Sequence, residues 1–411
     1  MSKKVPNLLE ECGKPLIFKV SNADEVGLQS PPERLGEDLR TIVNSMTIFQ
    51  KEALVTSART GLTWRMASDE GAYLDGTDTA PAPLCHLTVG MVASYMNEIV
   101  ALAKISKIKI HNLRLIQDNY YRMEGSMLRG TMEASAHDAD LEVQIDADAD
   151  RDQLFRLVQD ATAASPLNGL MRGKHESLFT LSHNGVELET DKALALGKPV
   201  EADPGVTLDI VTPAEGDWSQ HCVKGGLTPY HEHSVSGSGS SLTDQQNRLL
   251  HLRGICTLRP DGIKEIVQHL YNPRGSVFTL LSEEGPENGG QGRAPDATSY
   301  ISAGIGFCFM TQFGRYAKMK KNDLTGYRII QDSHFTLGGA SGGTGEAGQA
   351  DPLETHVYLD SGEDNEFARN ILDVSEQTCF LHAFCRTDLK VKIRISKYAN
   401  QTVTSSPTAA R

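Results

Sequence analysis

The chain of 411 residues is long enough for two domains, and its 39% hydrophobic and 23% charged residues are typical of a globular protein. The formal charge of −13 argues against a nucleic-acid partner, because binding to the phosphate backbone depends on Lys and Arg. No apolar run reaches the roughly 18 residues of a membrane helix, and residues 1–11 lack the apolar core of a signal peptide. We therefore expect a cytoplasmic protein that binds neither nucleic acid nor a membrane.

The chain repeats itself at an offset of 214 residues. Nine of the 30 positions between 89 and 118 are identical to the positions 214 residues later. The same offset aligns Ser68-Asp-Glu-Gly71 with Ser282-Glu-Glu-Gly285, and no insertion is needed from about 58 to 183. A constant offset over this distance predicts two copies of one domain.

The repeat and the composition predict the domain organisation. A Ser/Gly-rich stretch at 234–241 is typical of a flexible segment and favours a junction between the copies. We divide the chain into a first copy at 1–183, a linker or insertion at 184–245, a second copy at 246–400 and a flexible tail at 401–411.

Each copy is expected to contain the same elements in the same order. Apolar positions at helical spacing with few polar positions predict a mostly buried helix. A second helix begins after Asp150 in the first copy and after Asp364 in the second, each a suitable N-cap. The predicted elements are a buried helix at 89–106 and 303–319, a strand at 113–123 and 327–337, a short strand at 141–146 and 355–360, the capped helix, and a last strand at 178–182 and 392–396.

The copies differ at two positions where serine in the first copy becomes cysteine in the second. Ser94 aligns with Cys308, and Ser165 aligns with Cys379. The thiolate is the reactive form of cysteine, and a helix dipole lowers its pKa. The alternative is that both cysteines are small buried apolar residues. In a reducing compartment a disulfide is more often catalytic than structural, so we take this pair as the candidate site.

The sequence around both cysteines resembles the OsmC/Ohr family. The segment Ser299-Tyr-Ile-Ser-Ala-Gly-Ile-Gly-Phe-Cys308 is similar to the first cysteine motif of that family, and Thr378-Cys379-Phe-Leu-His382 is similar to the second. In the first copy, residues 83–94 and Ser165-Pro-Leu-Asn168 keep the same frame with serine at each cysteine position.

The resemblance covers roughly residues 40–183 and 250–397 and implies an α+β fold, in which antiparallel sheets wrap around two central helices. Family members are normally intertwined homodimers, so the tandem copies would form a pseudo-dimer within one chain. The resemblance also implies reduction of organic hydroperoxides, with Cys308 as the peroxide-reacting thiol and Cys379 as the resolving thiol. The reductant would be a dithiol such as a lipoylated protein or thioredoxin, and no cofactor is expected.

The sequence departs from the family at the residues that accompany the first cysteine. Peroxidase members carry a glutamate ten residues before that cysteine, paired with an N-terminal arginine, whereas Thr298 holds that position here. Asp296 is considered as a replacement for the glutamate. Arg59, in Thr56-Ser-Ala-Arg-Thr-Gly61, resembles the arginine motif, and Arg274 lies one position from the aligned place in the second copy. A guanidinium near a thiol favours the thiolate; the alternative is a surface arginine in a turn.

Histidines occur in two further patterns. His382 lies three residues after Cys379 and is a candidate base for a cysteine nucleophile. His221-Cys222 and His231-Glu-His233 are candidate metal ligands, because His-x-His places both rings on one face of a strand. Their spacing matches no zinc motif, so we interpret them as histidines of a polar loop and predict no metal site.

Three functions remain open at the level of the sequence. The first is a thiol-based redox enzyme of the OsmC class. The second is a hydrolase that uses Cys308 as its nucleophile in a pocket between the copies. The third is a non-catalytic binding protein in which the thiols are incidental. In each case a small molecule is the expected ligand, and we expect one thiol site per chain with the first copy supplying its other wall.

Overall fold

A computed structural model describes residues 6–205, 210–230 and 240–398 and shows a mixed α+β fold. Its helices are α1 (Leu8–Glu11), α2 (Pro83–Ile105), α3 (Arg151–Ala164), α4 (Leu167–Arg172), α5 (Ala297–Lys320), α6 (Asn365–Thr378) and α7 (Phe380–Arg386). Its strands are β1 (Ile17–Lys19), β2 (Gly36–Ser45), β3 (Lys51–Ser57), β4 (Thr63–Ser68), β5 (Ile110–Ser126), β6 (Glu133–Ala136), β7 (Ala139–Ala147), β8 (Leu178–His183), β9 (Val186–Leu188), β10 (Cys222–Leu227), β11 (Gln245–Leu258), β12 (Lys264–Asn272), β13 (Ser276–Ser282), β14 (Leu324–Thr336), β15 (Glu354–Ser361) and β16 (Val391–Lys397). The predicted tail at 401–411 and most of the Ser/Gly-rich stretch lie outside the described ranges.

The elements predicted from the repeat are confirmed, with small shifts at their ends. The two buried helices are α2 and α5, the strands after them are β5, β7, β14 and β15, and the last strands are β8 and β16. The side chain of Asp150 caps α3 by accepting a hydrogen bond from the Gln153 amide at 2.8 Å. Asp364 caps α6 in the same way, through the Phe367 amide at 2.9 Å. A carboxylate at this position satisfies an otherwise unpaired amide of the first turn.

The strands form two sheets, and each sheet contains strands from both the first and the second half of the sequence. The first sheet has the order β1-β4-β3-β2-β14-β15-β8-β9. The second has the order β10-β13-β12-β11-β5-β7-β16, with β6 paired to β5. Neighbouring strands are antiparallel except for the parallel pairs β15–β8 and β16–β7. Strands β9 and β10, from the segment predicted as a linker, extend the sheets at β8 and β13.

Similar ion pairs lie at the two places where a strand from the first half of the chain pairs with a strand from the second half. In the β2–β14 pair, Arg40 lies opposite Asp332 and donates two hydrogen bonds of 2.8 Å to its carboxylate. In the β5–β11 pair, Arg253 lies opposite Asp118 with the same two distances. Bidentate pairs of this kind fix geometry as well as charge, so both junctions have a defined register.

Helices α2 and α5 pack against each other in the centre of the molecule. Helix α2 also contacts β5 and β11, whereas α5 contacts β2, β3 and β14, so each helix covers one sheet. The close approach depends on glycine, because an added Cβ would lie 2.7 Å from the Ala297 carbonyl oxygen at Gly90 and 2.7 Å from the Leu87 amide nitrogen at Gly304. Among the helices of the described ranges, none is long and apolar enough to cross a membrane.

Candidate functional site

The two candidate thiols are buried and in contact. Cys308 lies in the middle of α5, and Cys379 is the single residue between α6 and α7. The Cys379 side chain is hydrogen-bonded to Cys308, and both are free thiols. Burial is the main cause that raises the pKa of Cys379 well above its usual value, and the hydrogen bond and charge of Cys308 raise it further. Burial therefore favours the protonated form of Cys379.

A cavity of about 50 Å³ reaches Cys308 but does not reach Cys379. This volume accommodates a few water-sized groups. Its walls come from both halves of the chain, and the apolar part includes Leu84, Met123, Leu250, Leu270 and Phe380. A small molecule in the cavity can therefore reach Cys308 but not Cys379.

Polar side chains of the same cavity are fixed by hydrogen bonds. Glu70 accepts a hydrogen bond of 3.0 Å from Thr311, one helical turn after Cys308, and another of 2.5 Å from the Tyr73 hydroxyl. Burial raises the pKa of Glu70. Arg315 donates to the Ser241 carbonyl at 3.0 Å, and burial lowers its pKa to about 10. These groups place fixed charge and dipoles beside the thiol.

Lys51, the first residue of β3, lies in the interior beside this network. It is fully buried, and its Nζ donates a hydrogen bond of 2.9 Å to the Phe49 carbonyl. Burial lowers the pKa of Lys51 to about 8, while the charges of Glu70, Asp69 and Cys308 act in the opposite direction. Neither Lys51 nor Glu70 was identified from the sequence, although Glu70 is one of the positions that the 214-residue repeat preserves.

His382 lies next to the second thiol and is held by a carboxylate. Its backbone amide donates to the Cys379 sulfur at 3.5 Å, and its Nδ1 donates to Glu376. Arg386 donates to the other oxygen of Glu376 at 2.9 Å. Burial alone would lower the pKa of His382, but the charges of Cys379 and Glu376 outweigh it and raise that pKa. The Nε2 atom is buried, and no residue of the described ranges hydrogen-bonds to it.

Arg59 lies away from the cavity. Its guanidinium pairs with Glu37 and lies 3.5 Å from an oxygen of Glu287. It also donates a hydrogen bond of 3.1 Å to Asn288. Glu37 belongs to β2, whereas Glu287 and Asn288 belong to the loop before α5. Arg59 is absent from the cavity wall at Cys308.

Arg274 and Asp296 are also placed elsewhere. Arg274 donates to the Thr228 carbonyl at 2.6 Å and stacks 4.1 Å from the ring centre of Tyr230. Asp296 is the N-cap of α5 and accepts a hydrogen bond from the Ser299 amide at 2.7 Å. Twelve residues of helix, at about 1.5 Å each, put Asp296 roughly 18 Å along the axis from Cys308. Asp296 is not among the residues that line the cavity at Cys308.

The histidines considered as metal ligands do not form a described cluster. His221 donates to the Arg293 carbonyl at 2.7 Å and packs 4.8 Å from the ring of Trp218. His231 and His233 lie outside the described ranges. Within those ranges, no group of three or more His, Cys, Asp or Glu side chains is placed to hold a metal ion.

The two serines that the sequence aligns with the cysteines also lie close together. The Ser94 and Ser165 hydroxyls are buried and lie 2.7 Å apart. Asn168, at the position of His382, donates a hydrogen bond of 3.2 Å to the Gly348 carbonyl. The same contact between two elements is therefore made by two hydroxyls in one half and by two thiols in the other.

Comparison with known proteins gives a partial match. Residues 290–394, which include both thiols, match the family model described as OsmC-like protein. A solved structure of an OsmC-like hydroperoxide resistance protein from Jannaschia sp. CCS1 is 21% identical and covers 31% of this chain and 79% of that chain, with a TM-score of 0.19. A comparison with curated proteins gave no match. The chain therefore contains an OsmC-like domain at residues 290–394.

Proposed function

We propose that the protein is a thiol-dependent redox enzyme of the OsmC class that reduces organic hydroperoxides. The observation that carries the proposal is the buried contact between Cys308 and Cys379, of which only Cys308 lines a cavity. The match of residues 290–394 to the OsmC-like family supports the same chemistry. A nucleophilic thiol that is reached by substrate and backed by a second thiol suits a peroxidase cycle better than it suits hydrolysis, which needs one thiol only.

The proposed cycle has three steps. The Cys308 thiolate attacks the distal oxygen of the hydroperoxide, so that an S–O bond forms, the O–O bond breaks, and the alkoxide leaves as the alcohol after taking up a proton. Cys379 then attacks the sulfur of the resulting sulfenic acid, and water leaves as the disulfide forms. An external dithiol reduces this disulfide by exchange and is itself oxidised. A lipoylated protein or thioredoxin is the proposed reductant.

His382 is proposed as the base of the second step. Cys379 must lose its proton before it attacks, and burial makes that loss unfavourable in the resting site. The imidazole lies beside Cys379, and Glu376 both orients the ring and stabilises its protonated form. Arg59 and Arg274 have no part in the proposed steps, because neither lines the cavity.

We further propose that the chain is an intrachain pseudo-dimer of two OsmC-like halves. Elements recur at one offset, and the serine pair lies where the cysteine pair of the other half lies. The first half would persist because it supplies Glu70, Leu84 and Met123 to the cavity at Cys308. One redox site per chain follows from this arrangement.

Turnover of cumene hydroperoxide with dihydrolipoamide as the dithiol tests the function. We expect Cys308→Ser to reduce the rate to that without protein, and Cys379→Ser to stop the cycle after one equivalent, at the sulfenic acid. Cys385→Ser is the matched control, since Cys385 is buried in α7 near the pair but outside the proposed cycle. Failure of peroxide to join Cys308 and Cys379 in the folded parent protein would overturn the proposal. Ester hydrolysis that survives Cys379→Ser would favour a hydrolase.

A further inference from the structure

We propose that Lys51, from the first half of the chain, supplies the positive charge that activates Cys308 in the second half. The proposal deepens the proposed function, because it assigns the group that prepares the reacting thiol. It concerns only the reactivity of Cys308, so it can be tested without any hydroperoxide.

Burying the charge of Lys51 is unfavourable for folding unless that charge serves a function. Its side chain is fully buried, yet the ammonium group has three donors and makes one hydrogen bond, to the Phe49 carbonyl. Within the described ranges it has no carboxylate oxygen at the 4.0 Å of an ion pair. Burying a charge with so little local compensation is unfavourable, and such groups concentrate at functional sites.

The fold brings Lys51 to the thiol through the exchange of strands between halves. Strand β3, which begins at Lys51, packs against α5, which carries Cys308. Glu70 lines the cavity with Cys308 and is held by Thr311, one turn further along the same helix. The negative charges of Glu70 and Cys308 both favour the charged form of Lys51. A positive charge at such a site stabilises the thiolate.

The other half contains a matching lysine that is engaged differently. Lys264 begins β12 and pairs across the sheet with Ser282, as Lys51 begins β3 and pairs with Ser68. Its Nζ donates to Asn97 at 2.6 Å and lies 3.8 Å from a carboxylate oxygen of Glu284. Near Ser94, Lys264 is thus bound to polar side chains. Near Cys308, Lys51 forms no ion pair with any residue in the described part of the chain.

Other titratable groups lie around Cys308 on several elements of the fold. The effect of Lys51 on the Cys308 alkylation profile must be separated from the effects of these groups. Lys264, the matching lysine of the other half, therefore serves as the control. These groups are Asp69, Glu70 and Tyr73 from the loop after β4, Tyr121 from β5, Arg248 from β11, Arg315 from α5, and Glu376, Cys379 and His382 around the start of α7.

The rate of alkylation of Cys308 by iodoacetamide against pH tests the proposal. Peptide mass spectrometry reports Cys308 alone, and thermal melting verifies the fold of each variant. We expect Lys51→Met to shift the midpoint of the Cys308 profile upward by about one unit or more, which corresponds to roughly tenfold slower alkylation below the midpoint. Lys51→Arg should restore most of the shift, and Lys264→Met should leave the profile unchanged.

A structural role of Lys51 would lower the melting temperature without moving the midpoint, and that result overturns the proposal. Equal shifts from Lys51→Met and Lys264→Met would overturn it too. If Lys51→Met does not fold, Lys51→Gln, which keeps a donor for the Phe49 carbonyl, is measured with the same expectation. Because alkylation needs no hydroperoxide, a protein without peroxidase activity can still show the Lys51 shift, so failure of one proposal is distinguishable from failure of the other.

Discussion

The regions around Cys308 and around Ser94 are built from corresponding elements but can do different chemistry. In both, a central helix meets the residue that ends a shorter helix, and the two side chains touch. The serine pair makes a hydrogen bond of 2.7 Å, and hydroxyl groups at this place have no redox chemistry. The contact between the two side chains therefore recurs in both regions, whereas the proposed activity depends on two sulfur atoms and on the residues that accompany them.

The accompanying residues also differ between the regions. Cys379 is followed by His382, which is held by Glu376, whereas Ser165 is followed by Asn168, which bonds to a backbone carbonyl. Changes that transfer residues from one region to the other therefore test which of them matter. The change at His382 should affect thiol chemistry more than the changes at Ser94 and Ser165.

Replacing His382 with the asparagine of the other region should have the largest effect. We expect His382→Asn to slow closure of the disulfide by about 100-fold, since a positioned base contributes this much or more. Formation of the sulfenic acid at Cys308 should be unchanged. In the parent, closure should accelerate as pH rises through the raised pKa of His382, because only the neutral imidazole accepts a proton. Rapid-mixing mass spectrometry after a pulse of peroxide measures both steps.

The control for this variant is Asn168→His, which places a histidine beside Ser165 and should alter neither step. A His382→Asn protein that closes its disulfide at the parent rate, with the same pH dependence, would remove His382 from the cycle.

Introducing the thiol pair into the other region should have an intermediate effect. In a Cys12→Ser background, which removes an exposed thiol, we expect the parent to show one fast-reacting thiol, Cys308. Ser94→Cys with Ser165→Cys should add a pair that oxidises to a disulfide but reacts at least about tenfold more slowly. The reason is that the nearby lysine is engaged by Asn97, so it offers less stabilisation to a thiolate. Thiol titration against time counts the fast and slow groups.

Two fast-reacting thiols in the Cys12→Ser parent, with both serines intact, would contradict a single redox site per chain. An added pair as fast as Cys308 would show that the fold alone activates a thiol at this place.

Much of the fold could be predicted from the sequence because its signals are local. Helical spacing located α2 and α5, and the N-caps Asp150 and Asp364 located α3 and α6. The resemblance to the OsmC/Ohr family implied an intertwined arrangement, but the particular strand pairs could not be predicted. Strand β2 pairs with β14 almost 300 residues later, and the residues of neither strand specify its partner. For the same reason Cys308 and Cys379 could be identified from the sequence but Lys51 could not, since β3 packs on α5 only in the folded arrangement.

For Arg59 the local sequence was misleading: it resembles the arginine motif of the family, but the fold places the side chain away from the cavity at Cys308. Arg59 follows the motif, yet it pairs with the buried Glu37. Burial is the main cause that raises the pKa of Glu37 well above its usual value, and the charge of Arg59 opposes that rise. Arg59 therefore compensates a buried carboxylate in this structure.

Arg59→Ala should have the smallest effect on thiol chemistry. We expect the alkylation profile of Cys308 to stay in place, because the guanidinium does not line the cavity. Where Glu37 is ionised in the folded state, stability should fall by about 3 kcal/mol, since the carboxylate is left buried without its partner. The pKa of Glu37 is raised on folding and rises further in the variant, so the deficit should be absent while Glu37 is protonated in the folded parent and should grow as pH rises above that folded pKa. Urea unfolding from pH 4 to pH 8 measures this trend, and Arg274→Ala, whose partner is a backbone carbonyl, serves as the control without it. An Arg59→Ala protein with an upward shift of the Cys308 profile and a pH-independent stability would instead place Arg59 at the thiol.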